Sequence, residues 1–284
     1  MKVLSGREEL SALIQEMRLG GKRVGFVPTM GGLHAGHMSL VARSKDECDI
    51  TVVSVFLNPT QFNDPKDLET YPHNTDDDLK LLEHAGVDVA FVPEPSEMYE
   101  DGEEAPDLPL GRVAEVMEGE KRPGHFRGVV WIVSKLFRLV LPDRAYFGLK
   151  DFQQIAVIRR MIDLLPDLHG IQIVPCPVVR EADGLAMSSR NRKLNAEERA
   201  AAPKIYQALV HGKSMMESGA TVVQVHNAIL REINSSPLLE VEYLRLVDSK
   251  TLEEVQDWSG SVTACITVWC GDNTRLIDHL TYVP

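Results

Sequence analysis

At 284 residues, with 44% hydrophobic and 25% charged side chains, the chain has ordinary globular proportions and length for one large or two modest domains. A formal net charge of −12 excludes a general nucleic-acid binder, which needs clustered lysine and arginine, but permits one small anion in a local basic pocket. No apolar run approaches the roughly 20 residues that cross a bilayer, and Met1–Gly6 carries no long apolar segment of a signal peptide.

Arg7–Arg18 has Leu10, Leu13, Ile14 and Met17 at helical spacing, and Gly20-Gly21 stops the helix. Strand-like runs follow at Val24–Val27, Ile50–Leu57 and Val87–Val92, separated by helical patterns at Met38–Ser44 and Thr75–His84. Strand, helix, strand at this spacing predicts crossover units and a parallel sheet. Glu94–Pro109, rich in Pro, Asp and Glu, reads as a surface excursion. Val129–Leu141 is a helix ended by Pro142-Asp143, Ala145–Gly148 a short strand and turn, Phe152–Leu165 a helix and Ile171–Val174 a buried strand.

Beyond about residue 180 the texture changes. Asn195 and Glu198 form a capping box that opens a helix, and a second helix covers Val222–Ile233. Val241–Val247, Val262–Trp269 and Thr274–Asp278 are β-rich without long crossovers, so a small antiparallel sheet is expected. The fold class is therefore α/β: a parallel-sheet domain over 1–180 and a smaller α+β domain over 181–284, with the boundary near 176–186. Cys48, Cys176, Cys265 and Cys270 show neither CxxC spacing nor the density of a disulfide framework. Buried free thiols in a cytoplasmic setting are expected.

The most informative stretch is Pro28-Thr29-Met30-Gly31-Gly32-Leu33-His34-Ala35-Gly36-His37, a glycine turn between a strand and a helix N-terminus. Unpaired N–H groups and the helix dipole favour an anion there. His34 and His37, three apart, share one side of the turn, and as imidazolium they would offer cationic donors to a phosphate. Two histidines without further ligands at metal spacing make an incomplete metal site. Neither a Walker A loop nor GxGxxG is present.

Asn58 and Gln61, in Phe56-Leu57-Asn58-Pro59-Thr60-Gln61-Phe62, follow the second strong strand, where ligands of open α/β sheets sit. Asp76-Asp77-Asp78 suits a first helical turn electrostatically, or could hold Mg²⁺ on a nucleotide. Lys150 and Asp151 lie at the start of a helix, where a lysine is unfavourable unless an anion is present. Met187-Ser188-Ser189-Arg190, in a glycine-containing loop, suits a mobile phosphate clamp or a solvated linker. Arg122, His125 and Arg127 form a further basic cluster that could reach the same polyphosphate.

Six motifs, in order and spacing, resemble the pantoate–β-alanine ligase family: PTMGGLHAGH (28–37), FLNPTQF (56–62), YPHNTDDD (71–78), RPGHFRGV (122–129), FGLKDFQQ (147–154) and READGLAMSSRN (180–191). The resemblance implies a Rossmann-like nucleotidyltransferase fold, with HAGH as the HIGH-type motif and Met187–Arg190 as the mobile KMSKS-type loop. It implies ATP contacts from Met30, Gly31, Gly32, Leu33, His34, Ala35, Gly36 and His37, from Gly148, Leu149, Lys150 and Asp151, and from Val179, Met187, Ser188, Ser189 and Arg190. His37 matches the catalytic histidine; His34, Lys150, Ser188, Ser189 and Arg190 would stabilise charge on the phosphates. Gln61 and Gln154 would hold pantoate, with β-alanine near Gln61, and Asp77 and Asp78 are the candidates for Mg²⁺.

The implied reaction is ATP-dependent condensation of pantoate with β-alanine through a pantoyl adenylate, releasing AMP and pyrophosphate, in a cytoplasmic homodimer whose smaller domain closes over the site. Leu57, Thr60, Trp131 and Leu149 depart from the usual family pattern. The alternatives are a nucleotidyltransferase of the HxGH group acting on a phosphorylated acceptor, whose pocket would need more basic residues, and a nucleotide sensor without turnover.

Overall fold

In the computed structural model residues 1–283 are described, and they divide into two compact units. The first comprises Met1–Leu149 and Gln153–Pro177; the second comprises Lys150–Phe152 and the chain from Val178 onward. The sequence-based boundary at 180/181 falls a few residues beyond this division.

In chain order the first unit contains β1 (Lys2–Leu4), α1 (Arg7–Leu19), β2 (Val24–Thr29), α2 (Ala35–Glu47), β3 (Ile50–Val55), α3 (Pro65–Glu69), α4 (Thr75–His84) and β4 (Val89–Phe91). It continues with α5 (Pro95–Met98), α6 (Glu118–Lys121), α7 (His125–Val140), β5 (Arg144–Gly148), α8 (Phe152–Leu164), of which Phe152 belongs to the second unit, and β6 (Gln172–Cys176). Among the described residues the strands form a six-stranded sheet, parallel throughout, in the order β1-β4-β3-β2-β5-β6.

The central strands are buried on both faces, which is why they read as continuous apolar runs. Successive residues alternate between faces. Phe26 and Val52 join the core that contains Phe137, Ile158 and Leu10, whereas Val27 and Val53 join the one that contains Leu40, Val41 and Leu82. Glu47, at the end of α2, ties that helix to β5 by accepting from Arg144 (2.6 Å) and the Tyr146 hydroxyl (3.1 Å). All four cysteines are free and buried.

Most expected elements form, and Thr75–His84 has the expected bounds. Three differ for local reasons. β1 is a three-residue edge strand, too short to show a period. The excursion at 94–109 is not wholly at the surface: its helix buries Met98 to 1% exposure, and Tyr99 packs on Trp131 at 4.4 Å between ring centroids. The helix opened by Asn195 is α9 (Ala196–Ala201), with the capping box formed as read. Pro203 then heads α10 (Lys204–Glu217).

The second unit continues with α11 (Val222–Asn234), capped by Thr221 and Gln224. β7 (Leu239–Asp248), β8 (Val262–Cys270) and β9 (Thr274–Tyr282) make an antiparallel sheet in that order. Its core gathers Ile205, Leu209, Val225, Ile229, Leu244, Ile266 and Tyr282.

Candidate active site

Chain order reverses at β2: β3 lies on one side of it and β5 on the other. Ligands of such sheets bind beyond the carboxyl ends of the strands at that switch point. The register pairs Gly25 with Arg144 and Phe26 with Ala145. Carried forward, that offset sets Gly148, the end of β5, level with Thr29, the end of β2. The two glycine-bearing turns expected to meet ATP thus leave the sheet side by side.

The turn after β2 is held from several directions. Thr29 donates its hydroxyl to the Ser54 carbonyl (2.7 Å) and accepts from the Gly31 amide (3.3 Å). Gly31 and Gly32 have φ of 83° and 64°, a region that side chains with a Cβ enter only at a cost. Asp78, 3% exposed, then receives two successive amides: Gly32 N–H on Oδ2 (2.8 Å) and Leu33 N–H on Oδ1 (2.7 Å). Such charge-assisted bonds are shorter and stronger than neutral ones.

Asp78 therefore serves the turn with both oxygens, which departs from the expected place on a metal ion. Asp77 faces solvent at 63% exposure, accepting from Asn74 (2.7 Å) and pairing with Lys80 (3.2 Å). Among the described residues no group of three or more His, Cys, Asp or Glu side chains is placed to hold a metal.

His34 caps α2: its Nδ1 accepts from the Gly36 amide at 3.1 Å. A ring nitrogen that accepts carries its lone pair, so the proton of neutral His34 sits on Nε2. This replaces the imidazolium expected for His34 with a neutral donor. The His37 ring lies against it, centroids 4.1 Å apart and planes at 44°. Positive potential at the turn then comes from the N-terminus of α2.

Past β3 the chain makes a turn at Pro59–Gln61, capped by Asn58. Asn58, 1% exposed, gives its amide hydrogens to Gln61 Oε1 (3.0 Å) and the Gly128 carbonyl (3.3 Å). With Oε1 engaged, the amide of Gln61 points Nε2 at the Met30 sulfur, 2.7 Å away. A thioether is a weak acceptor, so this is the donor that a ligand hydroxyl or carboxylate would take up. Gly128 permits the geometry, since a Cβ there would come within 2.3 Å of the Thr60 carbonyl oxygen.

The basic cluster sits elsewhere than expected. His125 Nδ1 (2.8 Å) and Arg122 (3.3 Å) both bind the backbone carbonyl of Gln61, Arg122 also faces Glu118 (3.8 Å), and Arg127 donates to the Ala105 carbonyl (2.7 Å). They anchor the turn that carries Gln61. Of the two adjacent glutamines, Gln153 is wholly structural: it accepts from the Glu118 amide and donates to the Val113 and Val116 carbonyls. Gln154, half-buried beside it on α8, makes no such bonds.

Two further groups of expected residues belong to the second unit. Lys150 and Asp151 face each other at 3.3 Å, half-buried. Val179 accepts the Met187 amide (3.0 Å), a bridge joins Arg180 to Ala186, and Asp183 pairs with Arg199 (2.5 Å). The glycine-containing loop is thus a tied hairpin in place of a slack linker. Arg180 anchors it with a bidentate pair to Asp278 (2.7 and 2.9 Å) while stacking over Tyr206. Ser188 then caps a short 3₁₀ turn over Ser189–Lys193, in which Ser189 is buried.

The sequence reading missed Tyr99. Half-buried in the acidic excursion, it donates its hydroxyl to Asn58 Oδ1 at 2.6 Å, and burial pushes its pKa up to about 12. Nothing local in its neighbourhood signals a contact 41 residues away.

A family model described as pantoate–β-alanine ligase matches residues 2–281. The chain belongs to that family. A pantothenate synthetase of Bacteroides thetaiotaomicron is 50% identical to this ligase, with 99% of each chain covered. The crystal structure of pantothenate synthetase from Thermus thermophilus is 40% identical, superposes with a TM-score of 0.92 and covers 100% of both chains. A pantoate–β-alanine ligase from Francisella tularensis, solved in complex with β,γ-ATP and β-alanine, is 31% identical with a TM-score of 0.80, over 99% of this chain and 97% of that one.

Proposed function

We propose that this ligase condenses pantoate with β-alanine in two steps through a pantoyl adenylate. MgATP is the co-substrate, with Mg²⁺ carried on the triphosphate. In the first step a carboxylate oxygen of pantoate attacks the α-phosphorus and pyrophosphate leaves with the bonding pair. In the second, the β-alanine amine attacks the acyl carbon, the C–N bond forms, AMP leaves and the amine sheds a proton. The substrate supplies its own nucleophile, so the protein's work is orientation, charge stabilisation and exclusion of water from the mixed anhydride.

The observation that carries this reading is the turn at Thr29–His37, with its amides ordered by Asp78 and two imidazoles at the head of α2. There Met30–His37 would cradle ATP, with His34 donating from Nε2 and His37 acting on the reacting phosphate. Gly148, Leu149, Lys150 and Asp151 would add a point charge and a ribose contact, and Val179 with Met187–Arg190 would add further phosphate donors. Gln61, by its Nε2–H, and Gln154 would hold the pantoate hydroxyls and carboxylate, with β-alanine near Gln61. Neutral amides suit this hydroxy acid better than a phosphorylated acceptor, and the nearby Arg122 and His125 are engaged on the Gln61 carbonyl. Of the two aspartates considered for Mg²⁺, Asp77 keeps accessible oxygens. We place the enzyme in the cytoplasm as a homodimer, in keeping with its four free thiols and with the family.

ATP–pyrophosphate exchange tests the adenylate directly. Exchange should require pantoate but not β-alanine, and His37→Ala should slow it about 10²–10³-fold, the loss usual for one transition-state donor. Exchange without pantoate, or none while both ligands bind, would overturn the two-step scheme.

A further inference from the structure

The acidic excursion is fastened to the candidate pantoate side of the site. Tyr99 packs on Trp131 (centroids 4.4 Å, planes tilted by 55°) and lies near Phe56 (6.3 Å). Trp131 donates to Glu103 (3.3 Å), which pairs with Lys135 at 2.5 Å. That pairing with Lys135 holds the Glu103 carboxyl below its usual range. From this braced position the Tyr99 hydroxyl gives Asn58 Oδ1 a 2.6 Å bond, shorter than those Asn58 Oδ1 receives from Thr60 Oγ1 (3.0 Å) and the Thr60 amide (3.3 Å).

From Tyr99 through Asn58 to Gln61 the hydrogens point one way. The Tyr99 hydroxyl and the Thr60 amide donate to Asn58 Oδ1, and the Thr60 hydroxyl lies within reach of both Asn58 Oδ1 (3.0 Å) and the Tyr99 oxygen (3.3 Å), so Asn58 turns its Nδ2 towards Gln61 Oε1. Gln61 is thereby obliged to present Nε2–H, never its carbonyl, at the far end beside Met30. Donation into a carboxamide oxygen also polarises the amide and strengthens the bond that its nitrogen donates.

We propose that Tyr99 is a positioning residue for pantoate, acting through Asn58 to hold Gln61 as an obligate hydrogen-bond donor to the substrate. The proposal rests on the reading that Gln61 holds pantoate. Tyr99 touches no substrate. Its phenol, kept protonated by burial, remains a donor throughout the physiological pH range.

The test is Tyr99→Phe, which keeps the ring against Trp131 and removes only the hydroxyl, measured with Gln61→Ala and the double variant. Tyr99→Phe should raise the pantoate KM about three- to tenfold, the worth of one neutral hydrogen bond, and leave the ATP KM unchanged. In the Gln61→Ala background the same change should cost nothing more, because the group it positions is gone. An unchanged pantoate KM in Tyr99→Phe, or an effect that adds in full to that of Gln61→Ala, overturns the proposal while leaving Gln61 as a pantoate ligand. If Gln61→Ala itself leaves the pantoate KM unmoved, the underlying reading falls and takes the proposal with it. Thermal melting of each variant separates these results from unfolding. Equal rises in both KM values with a lowered melting temperature would show a merely structural Tyr99 and refute the proposal.

Discussion

Asp78→Asn and Asp78→Ala separate two roles that one carboxylate could have in an ATP enzyme. The structure assigns Asp78 to the glycine turn, where both oxygens accept backbone amides at 2.7–2.8 Å in a site 3% exposed. Hydrogen bonds to a charged partner contribute about 1.5–3 kcal/mol each, so losing both in Asp78→Ala should cost about 3–6 kcal/mol. At about 2–4 °C per kcal/mol for a unit of this size, the melting temperature should fall by roughly 6–24 °C. Asp78→Asn keeps one acceptor but turns an NH₂ group towards a backbone N–H, so it should fall between wild type and alanine. Both variants should also raise the ATP KM, since the slackened turn carries His34 and the start of α2. The assays are thermal unfolding by circular dichroism and pantoate-dependent pyrophosphate exchange across a Mg²⁺ series. A melting temperature within about 1 °C of wild type for Asp78→Asn, with exchange restored only by excess Mg²⁺, would refute this assignment and put Asp78 on the metal.

Gly128→Ala places a Cβ 2.3 Å from the Thr60 carbonyl oxygen, so it should destabilise the fold by about 1–3 kcal/mol and raise the KM for pantoate above that for ATP. Steady-state kinetics with each substrate varied decides it, and equal KM changes would contradict the close approach as a determinant of the Gln61 turn. Arg180→Met strands the Asp278 carboxylate, 4% exposed, without its bidentate partner and should cost about 3–5 kcal/mol, read as a lower urea midpoint. An unchanged midpoint would mean that the pair is not a structural tie.

Burial lowers the pKa of His279, opposed by Asp278, from its ordinary 6.5. The unfolded chain therefore binds a proton that the folded one refuses, and stability present above 6.5 is lost as pH falls towards the folded value. Denaturant unfolding at about pH 5.5 and about pH 7.5 should show a smaller acid loss in His279→Gln than in wild type, and parallel losses would dismiss the effect.

The candidate site was legible in the sequence to different depths. The glycine turn at 30–37 could be read because its signals are adjacent: an apolar run, glycines with no Cβ to oppose a positive φ, and a helix that starts at once. The Asn195–Glu198 capping box was legible for the same reason. Gln153 and Gln154 were not separable in sequence, because one is consumed by carbonyls of a segment some 40 residues upstream. Arg122 and His125 read as phosphate ligands on charge alone. Their partner is a backbone carbonyl more than 60 residues back, and backbone polarity leaves no mark in residue type.

What the sequence by itself determined about this ligase is the alternation of strand and helix, the parallel sheet, the smaller antiparallel one and the family, since periodicity and motif order are properties of neighbouring residues. Tertiary structure alone decided which polar groups are spent on the fold and which stay available to a substrate. Asp78 went to the turn, Arg122 and His125 to the Gln61 carbonyl, and Tyr99 to Asn58. The physical reason is that a buried polar atom must find a partner, and most of these partners lie dozens of residues away, where only the folded chain brings them within 3 Å or so.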